Sequence, residues 1–235
     1  MQDASEWLGE YVVTEYPEPH CWRLTRSASG TELEEGVFSL QGVIASKELP
    51  PVLDASSASK RSAPFLRQQV TLTGLSLPAF EKALDYAGDV FNKFRRYFPD
   101  KQIQPWVLPP CSESPGRTIT FSNHYFTRRN EAPTLRSIPF PLVVDPRSIL
   151  ANLVDGTMFH SEDNEVSYYE RYQEEDKSLK HQYIPPQSFR IGDIVDVQFG
   201  FVAYRMRSGM HILKPIMYSI SLVDKRYSDV RHCSC

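Results

Sequence analysis

Polar and apolar residues alternate twice between Phe189 and Val223. Val195, Val197, Phe199 and Phe201 interleave with Asp196, Gln198 and Gly200, and Ile216, Tyr218, Ile220 and Leu222 interleave with Met217, Ser219 and Ser221. A period of two is the mark of a strand with one buried face. Ser208-Gly209 between the runs reads as a two-residue hairpin loop that pairs Arg207 with Met210. Phe201 then opposes Ile216, Phe199 opposes Tyr218, Val197 opposes Ile220 and Val195 opposes Leu222, so both apolar sets share a face. This register turns His211 to the other face. Pro215 cannot donate to a ladder and predicts a bulge or an exposed edge, through which a homo-oligomer could form. Gly200 predicts a bulge or the close approach of another backbone.

A second periodicity lies between Leu77 and Phe98. Phe80, Leu84, Ala87, Phe91, Phe94 and Phe98 fall at alternating spacings of four and three, one stripe of an amphipathic helix. Ser76 is the expected N-cap, Pro78 suits the first turn and Pro99 ends the run. Shorter alternations predict strands at Tyr11–Thr14, Gly36–Ala45, Thr118–Thr127 and Glu165–Tyr172. Asp145-Pro146 through Gly156 carries the cap-to-cap signature of a short helix. The expected fold is α+β and β-rich, an antiparallel barrel or a sandwich, with one long amphipathic helix and one short helix. An OB-like barrel is one form of it. Residues 46–64 are rich in Ser, Pro and Ala and read as a linker or mobile loop. That divides the chain into 1–45, a segment docking on the main body, and 65–235, the β-rich main domain.

Composition sharpens this only a little. The 235 residues, 41% hydrophobic and 23% charged, suit a globular protein with a real core. Eighteen prolines against eleven glycines favour short elements over a helical bundle. No apolar run approaches the roughly 20 residues of a membrane span. The acidic N-terminus lacks the pattern of a signal peptide. Cys21, Cys111, Cys233 and Cys235 show no framework spacing, so reduced thiols and an intracellular setting are expected. Charge is uneven: residues 1–59 carry −7, 60–149 carry +6, 150–187 carry −5 and 188–235 carry +3. An anionic partner would therefore meet the middle of the chain.

Two stretches, HSEDNEVSYYER and the later FRIGDIVDVQFGFVAY, together resemble a group of uncharacterised proteins from mushroom-forming fungi. The resemblance covers about the last third of the chain and implies no known activity.

Three constellations bear on chemistry. Phe121, His124, Tyr125, Phe126, Arg128, Arg129 and Arg136 lie in or beside one strand of the basic segment, and Arg205 and Arg207 lie at the end of the hairpin. Aromatic faces stack bases while arginines hold phosphates; the competing reading makes Phe121 and Tyr125 core and pairs the arginines with the acidic loop at 174–176. His160-Ser161-Glu162 with His211 follows the ligand order of a non-haem Fe(II) facial triad, with Lys214 or Arg226 to hold a cosubstrate carboxylate. His232-Cys233-Ser234-Cys235 offers at most three zinc ligands on a terminus. No P-loop, dinucleotide or nucleophile-elbow motif is present. The expected function is a non-enzymatic binding protein without a cofactor, its ligand single-stranded nucleic acid or a protein partner. The alternatives are an Fe(II) oxygenase of the double-stranded β-helix type and a structural, oligomer-forming protein.

Overall fold

The computed structural model describes residues 4–27, 33–53, 58–98, 102–108, 116–174 and 178–225. The fold is α+β and strand-rich. In chain order the elements are α1 (Ala4–Gly9), β1 (Tyr11–Pro17), β2 (His20–Ser27), β3 (Leu33–Glu35), β4 (Val37–Glu48), β5 (Arg67–Thr73), α2 (Pro78–Tyr97), β6 (Thr118–His124), β7 (Thr127–Arg128), β8 (Met158–Phe159), β9 (Ser167–Gln173), β10 (Leu179–Tyr183), β11 (Ile194–Arg205) and β12 (His211–Asp224). β7 and β8 form a small ribbon of their own.

The long strands β11 and β12 pair along their whole length, as their alternation predicts. β11 also pairs with β4, β4 with β5, β5 with β6, and β6 runs parallel to β12 at Ile216 and Ser122. That closes a five-stranded barrel whose strand order is that of the OB fold. Each long strand then changes neighbour. β11 leaves β4 after Gly200 and takes up β2 at Val202–Tyr204. β12 leaves β6 after Ile216 and takes up β9 at Ser219–Leu222. β1 and β3 extend the sheet on the β2 side, and β10 extends it beyond β9.

A bulge sits at this changeover, and it corrects the expected register. Val195 faces Leu222 and Val197 faces Ile220, as the alternation requires, but Phe199 faces Met217 and Phe201 faces Pro215. Tyr218 is the extra residue. The hairpin loop absorbs the difference, with Arg207, Ser208 and Gly209 between Met206 and Met210 rather than Ser208-Gly209 alone. Gly209 takes the positive φ of 85° that such a loop needs. The bulge also exchanges the faces of the first half of β12. Leu213 and Met217 point into the barrel, Ile216 and Tyr218 point out, and His211 is buried rather than outward. Gly200 is where the backbone must lack a side chain: a Cβ there would collide with the Tyr218 hydroxyl and lie 2.6 Å from a Glu35 carboxylate oxygen.

α2 packs its stripe on the barrel, burying Phe80, Leu84, Ala87, Val90 and Phe94. Its N-cap is Leu77, not Ser76, because Leu75 and Ser76 both take positive φ and turn the chain before the helix starts. Arg117 reinforces the first turn, its Nε donating to Glu81 at 2.6 Å. The short helix is α1. At 145–156 Asp145 accepts from the Ala151 amide at 2.8 Å rather than from the first turn of a helix begun at Pro146, and the segment forms turns and a single 3-10 turn at Ala151–Leu153. Ser148 at φ 54° interrupts any regular helix there.

The expected break at 45/46 is also corrected. β4 runs through it to Glu48 with Ile44 buried in the barrel, so the N-terminal third supplies a barrel strand. Residues 54–57 of the expected linker lie outside the described residues, as do Pro99, Cys111, 175–177 of the acidic loop, and Arg226, His232, Cys233, Ser234 and Cys235. Nor is the strand around Pro215 a free edge. Ile103 bridges to His211, whose amide donates to Gln102 and whose carbonyl accepts from Gln104, while Ser122 flanks Ile216. Among the described residues no helix is long and apolar enough to cross a membrane.

Candidate nucleic-acid interface

The outer face of the barrel carries a cleft of about 270 Å³ across β6, β11 and β12. Alternation sets its lining. Leu213 points inward, so Lys214 points out; Phe121 points inward, so Ser122 and His124 point out. Arg67 is the cross-strand partner of His124 and shares its face. Three basic groups from three adjacent strands therefore meet.

Their electrostatics show the crowding. Burial, Lys214 and Arg67 together lower the His124 pKa from 6.5 to about 4. Burial and Arg67 push the Lys214 ammonium below its usual value. His124 Nδ1 is buried with no hydrogen-bond partner. Among the described residues no carboxylate pairs with Arg67 or Lys214. With its pKa at about 4, His124 is uncharged at neutral pH, and Arg67 and Lys214 are the uncompensated cations of this concave face, which attract anions.

The opposite wall is neutralised. Arg23 on β2 donates to Glu35 at 2.6 Å, reaches Asp163 at 3.5 Å, and lies 5.2 Å from the Tyr16 ring centre. Burial opposes its charge, but Glu35, Cys21 and Tyr218 together outweigh it and raise its pKa. Tyr218 donates to the same carboxylate, and burial with Glu35 raises its pKa. Tyr204 and Tyr218 give this wall its aromatic surface.

The loop from β4 to β5 supplies the rim. Pro64 lines the cleft, and Phe65, closing the 3-10 turn Ala63–Phe65, leaves 72% of its surface exposed. A phenylalanine this open, two residues from Arg67, is a ready stacking surface. Arg61 in the same loop is exposed, and Lys60 reaches Asp155 at 3.6 Å.

The residues expected from the sequence divide. His124 and Arg128 line the cleft, Arg128 tied to Glu131 at 3.5 Å. Phe121 and Tyr125 do not reach it. Phe121 is fully buried 4.5 Å from the Phe199 ring centre, Tyr125 is core, and Phe126, although mostly buried, lines the cleft. Arg129 turns away, its guanidinium 3.5 Å over the Phe159 ring and donating to Leu135 O at 2.7 Å. Arg136, Arg205 and Arg207 are exposed outside the cleft lining. The sequence reading missed Phe65 and Arg67 and gave Lys214 a different role. The run KRSAPFLR held the signal, a basic and aromatic cluster that straddles the expected boundary between the linker at 46–64 and the main domain from 65.

The facial triad does not assemble. His160 Nδ1 donates to Tyr125 O at 2.8 Å and its ring stacks on Phe140 at 3.9 Å. Burial lowers its pKa, and Nε2 has no partner. Ser161 and Asn164 form a capping box around the turn Glu162–Asn164, which leaves Glu162 in solvent. His211 donates to Gln102 O at 3.0 Å between Phe98 and Trp22. Among the described residues no group of three His, Cys, Asp or Glu is arranged to hold a metal ion.

No protein-family model matches the sequence, and no curated protein matches it. Among solved structures the fold is similar to gp2.5, a single-stranded DNA-binding protein encoded by bacteriophage T7. That likeness has 12% identity and a TM-score of 0.41 over 80% of this chain and 86% of that one, too loose to assign any residue or ligand.

Proposed function

We propose that the protein binds single-stranded nucleic acid along the outer cleft of its barrel. The observation that carries this reading is the meeting of Arg67, His124 and Lys214 without a carboxylate partner, beside the exposed ring of Phe65. Phosphates sit on the cations, and a base lies on Phe65 with Tyr204 and Tyr218 along the far wall. The aromatic contacts are indifferent to base identity, so sequence preference is weak. A duplex has no free base faces to offer Phe65 and binds less well.

Fluorescence anisotropy with a labelled oligo-dT tests this. Phe65→Ala removes a stacking contact worth about 1–3 kcal/mol, or roughly 5- to 150-fold in affinity. Lys214→Ala weakens binding at low salt and flattens its salt dependence. Affinity unchanged in both variants would refute the reading.

A further inference from the structure

A second aromatic and basic surface stands on the hairpin β9–β10, at one end of the sheet. Every residue of β10 is exposed. The register places Tyr183 opposite Tyr169 and His181 opposite Arg171, so the four share one face. The Tyr183 ring is 77% exposed and centred 4.7 Å from that of Tyr169, with a 3.2 Å hydroxyl contact between them. His181 lies 6.0 Å from the Tyr169 ring. Neither Arg171 nor His181 has a carboxylate partner among the described residues, whereas the hairpin carboxylates Glu170 and Glu174 are engaged by Lys225 and Lys180.

This face is continuous with the cleft. Tyr168 pairs with the core residue Ile220 and points inward, so Tyr169, beside Ser221, lies on the outer face that also carries Lys214 and Tyr218. At ~3.3 Å per residue, Lys214 to Ser221 spans about 23 Å along β12. A strand with the ~3.4 Å rise of a duplex strand would cover it with about seven nucleotides, and a more extended one with fewer.

We propose that the Tyr169–Tyr183 face is a second contact for the same single strand, with Tyr183 stacking a base and Arg171 holding a phosphate. This rests on the reading above. It predicts that affinity depends on reaching both ends of the track.

The test compares oligo-dT of about 5 and about 15 nucleotides, within the range a barrel of this kind covers. The longer strand is expected to bind at least about tenfold tighter. Tyr183→Ala and Arg171→Ala should each remove most of that gain and leave the short strand unaffected, whereas Tyr183→Phe keeps it. Both alanine positions lie on an edge hairpin facing solvent, so thermal midpoints should stay constant. Equal binding of the long strand by wild type, Tyr183→Ala and Arg171→Ala overturns the second contact while Lys214→Ala still weakens binding. Failure of both strands to bind overturns both readings.

Discussion

His124 makes the cleft measurable from inside. Its ring takes a proton near pH 4 in the folded protein, against 6.5 in the unfolded chain. The unfolded state therefore binds the extra proton first, and stability falls as pH drops from about 6.5 to about 4, then levels off. The full difference is worth at most ~3 kcal/mol at 1.36 kcal/mol per pH unit, and about half of that once solvent screening of a partly open site is counted. Burial is the largest cause and Lys214 the next, ahead of Arg67. Replacing Lys214 by Met removes the charge and keeps the stem. The His124 midpoint should rise by roughly 0.5–1 pH unit, and the acid loss of stability should shrink accordingly. NMR titration of the histidine ring protons reads the site directly, and urea unfolding at pH 7 and near pH 4.5 reads the linkage. Burial also lowers His160, so the unfolding data alone would mix two rings, and the resolved His124 resonance separates them. Saturating oligo-dT should raise the same midpoint, because a phosphate favours the charged ring. A His124 that titrates near 6.5, or a midpoint that Lys214→Met leaves in place, would refute the placement of these groups together.

Two glycines should respond in opposite directions. Gly200→Ala forces a methyl group against Tyr218 and Glu35 and disturbs the network they form with Arg23, costing about 2–4 kcal/mol, read as a lowered thermal midpoint. Gly88→Ala, in the interior of α2 with open space around the added carbon, should stabilise by up to ~1 kcal/mol. A Gly200→Ala protein as stable as wild type would contradict the bulge geometry. Added Mn(II) should leave the thermal midpoint unchanged, and a rise that His160→Ala abolishes would contradict the separation of His160 from His211.

Much of the frame was legible in the sequence. The alternation of β11 and β12 and the stripe of α2 are strong periodic signals, and both elements lie where their periods place them. What the alternation could not reveal was the bulge at Tyr218, which arises where β12 changes neighbours and so depends on strands distant in sequence. The orientation of His211 followed the bulge. The aromatic residues of β6 were misread for a related reason. Phe121 and Tyr125 share the expected strand Thr118–Thr127 with basic neighbours, but alternation puts Phe121 in the core, and of β6 only His124 faces Arg67 and Lys214. Arg67 and Lys214 are about 150 residues apart and meet only because β5, β6 and β12 are consecutive around the barrel. Phe65 was hidden differently: it directly follows the stretch 46–64 that reads as a linker, and its exposure is a property of the folded loop.

The central claim is that the outer cleft holds phosphates with cations that nothing else neutralises. Its most direct test is the dissociation constant for oligo-dT across a salt series, for wild type and Lys214→Ala. The account predicts a linear fall of log affinity with log salt, and a slope shallower by about 0.7 in the variant, one phosphate contact on a single strand. Binding that ignores salt, or a slope the variant does not change, would contradict it.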